Sequence, residues 1–593
     1  MKRIITIVVM FVLVLGLFGC RQPEEDYEDI IIEEFLRIAE DIPYEFEEDL
    51  QLPAASDGFT VKYKADNRAL NNGLLPYIGQ DQDVVMTLYV TLSYQTDTYT
   101  YQLEIVQLEQ EDPVEVAFQE RYELLLSLWP NPMVSNVTIP TGVAGVPTPT
   151  SQTCGEVERG RVLYSFPENS YDCAVTYNIT INQETRTLVV PITVSAFDDL
   201  PQIPQVFVDT GNQPIDSKDT YTSATITVVT DGNSTYREIT NESMLIRLRG
   251  NSTRWMPKAS YKIKFPEQTA FLSDYKEKDW VLLANFTDQS LVRNALAFSL
   301  SERLNMAFSP SSTFVDLYIN GEYVGNYQLT DQIEVTNDRV DIEENVSDID
   351  TGYLLEYDWG QYGYGLGNTG DNYFLLWGIP FVLHSPDWED DHYQAGHLDY
   401  IESFMQQLFN TLENGEDYSD LIDEASFIDW FIVNEVFKNV DSGYSSIYFY
   451  KPKSGLLHMG PVWDFDLSSG NPGHLQDDLR GPTGWYTSRP DKNILFYYLM
   501  QYPSFQSALK NRWNEVYDDA ILAILDEIWP TADAMTYSRY QNFERWDIIG
   551  SNYDWYTAPE VYDLKTYDEQ VWFVYDYMNE RITWLNQAIN ELQ

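Results

Sequence analysis

The sequence predicts a multidomain protein in which two all-β modules precede a larger α+β domain. Its 593 residues exceed the size of one typical domain. Two segments, DVVMTLYVTL from Asp83 and DCAVTYNITI from Asp172, align without gaps, and both alternate apolar with polar residues. From Val206 onward strand and helix patterns mix, and the later segments are mostly helical. These observations predict β modules first and an α+β domain after them.

The first residues predict export. Lys2 and Arg3 precede an apolar run, Ile4 to Phe18, that is short for a membrane span and typical of a secretion signal. Leu17-Phe18-Gly19-Cys20 resembles the lipobox of bacterial lipoproteins, which implies cleavage before Cys20 and a lipid on its sulfur. We therefore expect a signal peptide over 1–19, an acidic spacer over 20–41, and anchoring to the outer face of the cell membrane or to the cell surface. The alternative is a plain signal peptide with an incidental cysteine.

The charge of the chain excludes one class of partner. The 93 Asp and Glu residues against 36 Lys and Arg give a net charge of −57. Such an anion does not bind nucleic acid or anionic lipid through its overall field. We therefore predict no nucleic-acid partner, and membrane contact only through the lipid on Cys20.

The repeat defines the two β modules. Each repeated strand is followed by a polar turn and a second alternating strand, which predicts β-sandwich modules over 42–114 and 115–200. They look similar to the immunoglobulin-like modules of exported bacterial proteins and are interpreted as a spacer. Cys154 and Cys173 lie in the second module, and in an exported protein such a pair most often forms a disulfide. Two free thiols are the alternative.

Prolines at 201 and 204 mark the start of the third domain, predicted over 203–593. Early in it, the segment Arg247 to Lys264 contains six Lys and Arg residues and no acid. Strand alternation places Lys262 and Lys264 on one face, and Gly250-Asn251-Ser252-Thr253 forms a turn whose N–H groups can bind an anion. This pattern suits a phosphate site. The alternative is that these cations pair with neighbouring carboxylates.

A hairpin is predicted farther along the domain. Ser446 to Tyr450 has strand composition, KPKSG reads as a turn, and Leu456 to Gly460 returns antiparallel. Paired strands lie about 5 Å apart, so Asp441 before the hairpin should face Asp464 and Asp466 after it. Carboxylates so placed suit metal binding and acid–base chemistry, and solvated turn residues are the alternative. Phosphoryl transfer uses a basic hairpin, an acceptor-side Asp and metal-binding carboxylates, in this order.

Several motifs resemble the CotH family, named for spore coat protein H. They are IRLRGNSTRWMPKASYKIKF, WVLLANFTDQSLVRNALAFSLSERLN, VDLYINGEYVGNYQLTDQIE, GYLLEY and NEVFKNVDSGYSSIYFYK with LHMGPVWDFDLSSGN. The resemblance implies a divergent protein-kinase-like fold and a secreted or surface-located atypical kinase. Such a kinase uses ATP with Mg²⁺ or Mn²⁺ to phosphorylate Ser or Thr of a protein substrate.

The resemblance also implies roles for single residues. Asp441 matches the catalytic aspartate that acts on the acceptor hydroxyl, and Asp464 and Asp466 match the metal-binding element. Lys262 or Lys264, with Arg249, would hold the ATP phosphates. Asp331 stands where the family usually has Glu, and is expected at the cofactor site. Ser446 occupies the position at which ordinary kinases have a metal-binding Asn, and is a poorer ligand.

Other reaction classes find less support in the sequence. The five histidines form no H-E-x-x-H pattern, and no G-x-S-x-G segment is present, which argues against a zinc hydrolase and an α/β-hydrolase. The main rival is a surface adhesin or assembly factor that uses the same fold only to bind a protein. The three aspartates favour the enzyme, and the scarcity of ATP outside the cell favours the adhesin.

Overall fold

The computed structural model describes residues 28–46, 48–66, 68–78, 84–95, 97–107, 112–230, 236–250, 256–359, 372–475, 477–552 and 557–593. The predicted signal peptide, the lipidated Cys20 and the turn residues 251–253 lie outside the described residues. Within them, no helix combines the length and apolar character that crossing a membrane requires.

The strands are β1 Glu45–Phe46, β2 Leu50–Gln51, β3 Phe59–Ala65, β4 Arg68–Ala69, β5 Leu74–Leu75, β6 Val84–Tyr94, β7 Asp97–Gln107, β8 Val137–Thr138, β9 Ser151–Gln152, β10 Val157–Glu158, β11 Arg161–Val162, β12 Tyr171–Ile181, β13 Glu184–Val194, β14 Gln205–Asp209, β15 Thr222–Val229, β16 Ile239–Arg249, β17 Ser260–Thr269, β18 Glu277–Leu283, β19 Thr313–Ile319, β20 Glu322–Asp331, β21 Tyr353–Tyr357, β22 Tyr373–Leu376, β23 Ile379–Ser385, β24 Ile447–Lys451 and β25 His458–Met459.

The α-helices are α1 Glu28–Glu40, α2 Pro113–Leu128, α3 Arg293–Arg303, α4 Gly396–Asn414, α5 Glu424–Phe437, α6 Asp477–Arg480, α7 Ile494–Leu499, α8 Pro503–Val516, α9 Ala523–Asp533, α10 Thr536–Arg545, α11 Pro559–Tyr562 and α12 Tyr567–Asn590. Short 3₁₀ turns cover Phe197–Asp199 and Val440–Gly443, and a π-helical turn covers Tyr517–Leu522.

The first compact unit contains residues up to 131, 139–154 and 172–192. Its five-stranded sheet has the order β1-β7-β6-β3-β4, and alternate residues of β6 such as Leu88, Val90 and Leu92 are fully buried because one face of the sheet is covered. A second sheet has the order β13-β12-β9. The two repeated sequence segments thus form β6 and β12, each followed by a partner strand. The immunoglobulin-like arrangement stays a prediction.

The same unit contains a disulfide between Cys154 and Cys173, whose Cα atoms are 5.0 Å apart. Such a bond stabilises a fold mainly by limiting the freedom of the unfolded chain. Residues 28–40 of the predicted acidic spacer form α1, whose Ile31, Phe35 and Ile38 are buried.

The second unit contains residues 132–138, 155–171 and 193–593, so it begins upstream of the predicted domain start at 203. Seven strands close into a barrel in the order β14-β15-β16-β17-β18-β20-β19, with β14 parallel to β19 at the closing seam. Ile226, Ile263, Trp280 and Tyr327 fill its core. Strands β19 and β20 form a hairpin that turns at Asn320-Gly321.

The rest of this unit packs helices around a sheet of order β22-β23-β21-β24-β25. Helix α5 has apolar residues on nearly every side, EASFIDWFIVNEVF, because it is buried all round. Its C-terminal end leads to the hairpin of β24 and β25, which is antiparallel as predicted and pairs Tyr450 with His458. The turn closes through a hydrogen bond from Gly455 N to Pro452 O at 3.0 Å.

Candidate active site

A cavity of about 950 Å³ lies in the second unit, between the barrel and the segment around the β24–β25 hairpin. Five predicted site residues line it: Asp441, Asp464, Asp466, Arg249 and Lys262. Two others, Lys264 and Asp331, are absent from its described lining. The carboxylates come from the hairpin region and most of the cations come from the barrel, so the cavity has walls of opposite charge.

The turn after α5 holds Asp441 at this cavity. The helix is capped at its C-terminal end by Lys438, which adopts a left-handed backbone conformation and donates from its Nζ to Gly481 O at 2.7 Å and Thr483 O at 2.6 Å. Asn439 then caps the 3₁₀ turn, its side chain accepting from Asp441 N at 3.1 Å. Tyr444 N donates to Asp441 O at 2.9 Å. The Asp441 carboxylate therefore projects from a fixed turn, not from a mobile loop.

Asp464 and Asp466 follow the second strand of the hairpin. Asp464 has φ +65°, and its carboxylate accepts from Ser446 Oγ at 3.3 Å. Asp466 accepts from Thr287 Oγ1 through its side chain, and from Asn471 Nδ2 at 2.7 Å through its carbonyl. Hydrogen bonds from Thr287, Ser446 and Asn471 thus fix the WDFD segment. The hairpin brings these carboxylates to the same cavity as Asp441.

The three carboxylates strongly affect each other's ionisation. Burial, followed by the charge of Asp464, raises the pKa of Asp441 well above its usual range and that of Asp466 to about 8. Burial also raises the pKa of Asp464, and the Arg249 guanidinium opposes that change. The group is short of positive charge, which a bound cation would supply.

The chemistry of these donors fits Mg²⁺ or Mn²⁺, since hard divalent ions prefer carboxylate oxygens and keep positions open for water and phosphate. Across the described ranges, no group of three or more His, Cys, Asp or Glu side chains has the geometry of a ready-made metal site. Asp464 and Asp466 are the residues that would hold such an ion. The remaining positions would go to other oxygens.

Several cations of the barrel wall already have partners. Lys262 Nζ lies 2.8 Å from Asp279 Oδ1, so here the alternative of pairing with a carboxylate is observed. Lys264 Nζ lies 3.9 Å from the same carboxylate and faces a separate groove of about 780 Å³. Arg249 packs over the Trp463 ring, 4.8 Å from its centroid. Of these three, Arg249 and Lys262 are placed to face a ligand in the carboxylate-lined cavity.

Asp331 occupies a different environment. Its carboxylate accepts from Arg339 Nε at 3.0 Å, Ser311 N at 2.8 Å and the Tyr275 hydroxyl at 2.6 Å, and it is fully buried. These partners satisfy it as part of the barrel structure. Its role at the cofactor site stays a prediction from the resemblance.

Sequence reasoning missed Lys258, another cavity-lining cation. Its Nζ donates to Ala284 O at 2.8 Å, to Asn542 Oδ1 at 2.9 Å and to Asn326 O, with no carboxylate among these acceptors. Burial lowers its pKa to about 7. Its place in the cation-rich segment was a signal, but the sequence does not show that Asn542, far along the chain, faces it.

Sequence reasoning also missed an acidic and histidine-containing part of the lining. Glu356 on β21 and His384 on β23 form a pair, with 2.7 Å between Oε2 and Nε2, and Asp358 follows β21. The GYLLEY motif contains Glu356 but gives no sign of its partner, which comes from another strand.

Two comparisons with known proteins address the family to which the chain belongs. Among curated proteins, none is similar enough in sequence to be matched to the chain. A protein-family model described as CotH kinase protein matches residues 246–585, which is more than half of the chain and includes Arg249, Lys262 and all three aspartates. The chain therefore belongs to the CotH kinase family.

Proposed function

We propose that the protein is a surface-anchored kinase that transfers the γ-phosphoryl group of ATP to Ser or Thr of an extracytoplasmic protein. The observation that carries the proposal is the single cavity in which Asp441, Asp464 and Asp466 face cations of the barrel. Phosphoryl transfer depends mainly on positioning and on charge stabilisation, and walls of opposite charge can provide both. Membership of the CotH kinase family supports the same reaction class.

Each wall has a separate task. Arg249 and Lys262 would bind phosphate oxygens, and Asp464 and Asp466 would bind Mg²⁺ or Mn²⁺. When bound, the metal–nucleotide complex supplies the phosphoryl group and balances the carboxylate charge. Asp441 orients the acceptor hydroxyl and accepts its proton, which requires Asp441 to be ionised. Burial and the charges of Asp464 and Asp466 raise the pKa of Asp441, and a cation bound beside these carboxylates would favour its ionised form.

A direct assay tests the proposed activity. Purified protein is incubated with ATP labelled at the γ position and Mn²⁺ or Mg²⁺, alone and with a mixture of Ser- and Thr-containing proteins. We expect label on the protein itself or on an added protein, stable to conditions that hydrolyse acyl phosphates. Absence of both transfer and nucleotide binding would leave the adhesin or assembly factor as the better account.

The anchor is tested separately from the activity. We propose that lipid on Cys20 holds the exported protein at the membrane. Replacing this residue in a Cys20→Ser variant should release the protein into the medium and abolish incorporation of labelled fatty acid. Unchanged membrane association without lipid incorporation would show that the protein is held by another means.

A further inference from the structure

Six Lys and Arg side chains line the cavity among the described residues. Five of them belong to residues 218–262, in and before the barrel strands that form one wall. Lys492 is the sixth, and it belongs to the helix-rich part that also carries Asp441. We call the wall that carries Asp441, Asp464 and Asp466 the acceptor side of the cavity. Among the described lining residues, Lys492 is the single Lys or Arg on that side.

The segment that carries Lys492 is fixed to the turn that carries Asp441. Three hydrogen bonds join them: Tyr486 Oη to Val440 O at 3.0 Å, Ser442 Oγ with Thr487 Oγ1 at 2.9 Å, and Asn493 Nδ2 to Ser442 O at 2.8 Å. The far side of the segment is held as well, because Thr487 N donates to the buried Glu435 at 2.6 Å. These hydrogen bonds therefore fix the distance between the backbone of the turn that carries Asp441 and the backbone of the segment that carries Lys492.

Gly443 shows how close this contact is. A Cβ atom at this position would lie 2.6 Å from the carbonyl carbon of Lys492, which is too close for two carbon atoms. The carbonyl carbon belongs to the backbone, so it cannot move aside as a flexible side chain could. The glycine therefore allows the segment to lie directly against the turn. This close contact places the backbone of Lys492 beside the turn that carries Asp441, although 51 positions separate the two residues in the sequence.

The ammonium group of Lys492 has only a weak local partner. Its Nζ lies 3.8 Å from Asp491 Oδ2, and the Asp491 side chain is 54% exposed and also accepts from Arg489 Nε at 3.1 Å. The Lys492 side chain itself is 22% exposed and packs over the Tyr486 ring. Exposed pairs of this kind contribute little, so the ammonium group can bind another anion at small cost.

We propose that Lys492 is a further catalytic residue, whose ammonium group contacts the γ-phosphate from the acceptor side; this inference rests on the proposed kinase function. The transferred group carries negative charge while it passes toward Asp441, among carboxylates. A cation fixed to the turn of Asp441 reduces that repulsion and stabilises the group in transfer. Arg249 and Lys262 act from the opposite wall.

A comparison of ATP with ADP tests the inference without relying on activity. Calorimetry with Mn²⁺ is performed on wild type, Lys492→Met, Lys492→Arg and the control Arg489→Met. Arg489 pairs with the same Asp491 but is not part of the described lining. We expect Lys492→Met to weaken ATP binding roughly ten- to hundredfold while ADP binding is unchanged, since only ATP has the γ-phosphate. Turnover should fall as well, and Lys492→Arg should restore part of both losses.

Other results would overturn the inference. Lys492→Met with a wild-type ratio of ATP to ADP affinity would show that the ammonium group does not meet the γ-phosphate. Equal losses in Arg489→Met would assign the effect to the charge of the segment instead. If wild type and Lys492→Met transfer phosphate equally well, this inference is wrong while the proposed function still holds. A wild type that binds neither nucleotide defeats the proposed function and this inference with it.

Discussion

The side-chain oxygen of Asn542 accepts a hydrogen bond from Lys258 Nζ at 2.9 Å, joining helix α10 to the wall of the cavity. The same oxygen accepts from Asn326 N at 3.1 Å. Gly325 makes room for this contact, because a Cβ there would lie 2.8 Å from both the Asn542 oxygen and Lys258 Cε. A helix near the C-terminus thus supports a cation that faces the proposed nucleotide site.

Removing this support should weaken both the fold and the site. In Asn542→Ala the buried ammonium group loses one of its three acceptors, so we expect unfolding to become easier by about 1–3 kcal/mol. Nucleotide affinity should fall too, since Lys258 would be held at the cavity by two hydrogen bonds instead of three. Thermal unfolding and ATP calorimetry measure the two effects. Gln541→Ala on the same helix is the control, and equal behaviour of both variants would contradict this role of Asn542.

Burial of Asp316 predicts a pH-dependent contribution to stability. Burial raises the pKa of the Asp316 carboxyl to about 6. The carboxyl accepts hydrogen bonds from the Ser538 and Tyr323 hydroxyls. Because the folded pKa is higher than the unfolded value of 3.8, the contribution is most favourable below pH 3.8 and is lost as the pH rises through 6. Between pH 4 and pH 7 the stability of wild type should fall relative to Asp316→Asn by about 2 kcal/mol. Parallel stability curves for the two proteins would contradict this.

Two neighbouring arginines offer a matched test of buried against exposed ion pairs. Arg161, 2% exposed, pairs with Asp533 and lies 3.6 Å above the Trp529 ring, whereas Arg159 and its partner Asp576 are both about half exposed. Arg161→Ala should destabilise the second unit by about 3–5 kcal/mol, because it leaves the largely buried carboxylate of Asp533 without its guanidinium partner. Arg159→Ala should cost about 1 kcal/mol or less.

Chemical denaturation that follows nucleotide binding as its signal measures both changes. Similar losses would show that the segment 155–171 is not an integral part of the second unit. A large loss only in Arg161→Ala would mean that residues ahead of the predicted boundary at 203 stabilise the domain that carries the site.

The sequence predicted those parts of the fold that depend on local patterns. The β24–β25 hairpin follows from strand composition and a Pro–Gly turn, and a hairpin necessarily brings its two ends together. That is why Asp441, Asp464 and Asp466 could be placed at one site without knowledge of the rest of the chain. The repeated strands β6 and β12 were predictable for the same reason.

Contacts between distant segments were not predictable. Lys258 and Asn542 are 284 positions apart, and Arg161 and Asp533 are 372 positions apart, so neither pair leaves a local pattern. Lys262 could equally have faced solvent, a phosphate or Asp279, because alternation along a strand gives the face of a side chain and not its partner. Tertiary packing decides which partner a side chain contacts, and local patterns along a single sequence do not reveal that partner.

The proposed function requires that Asp441 act on the acceptor while Asp464 and Asp466 bind the metal. Calorimetry of ATP binding with and without Mn²⁺, paired with the labelled-ATP assay, separates these roles in Asp441→Asn, Asp464→Asn and Asp466→Asn. We predict that Asp441→Asn still binds metal–ATP while its turnover falls by orders of magnitude. The other two variants should lose the dependence of ATP affinity on Mn²⁺. Transfer activity that survives in all three variants, or ATP binding that ignores Mn²⁺ in the wild type, would contradict the account.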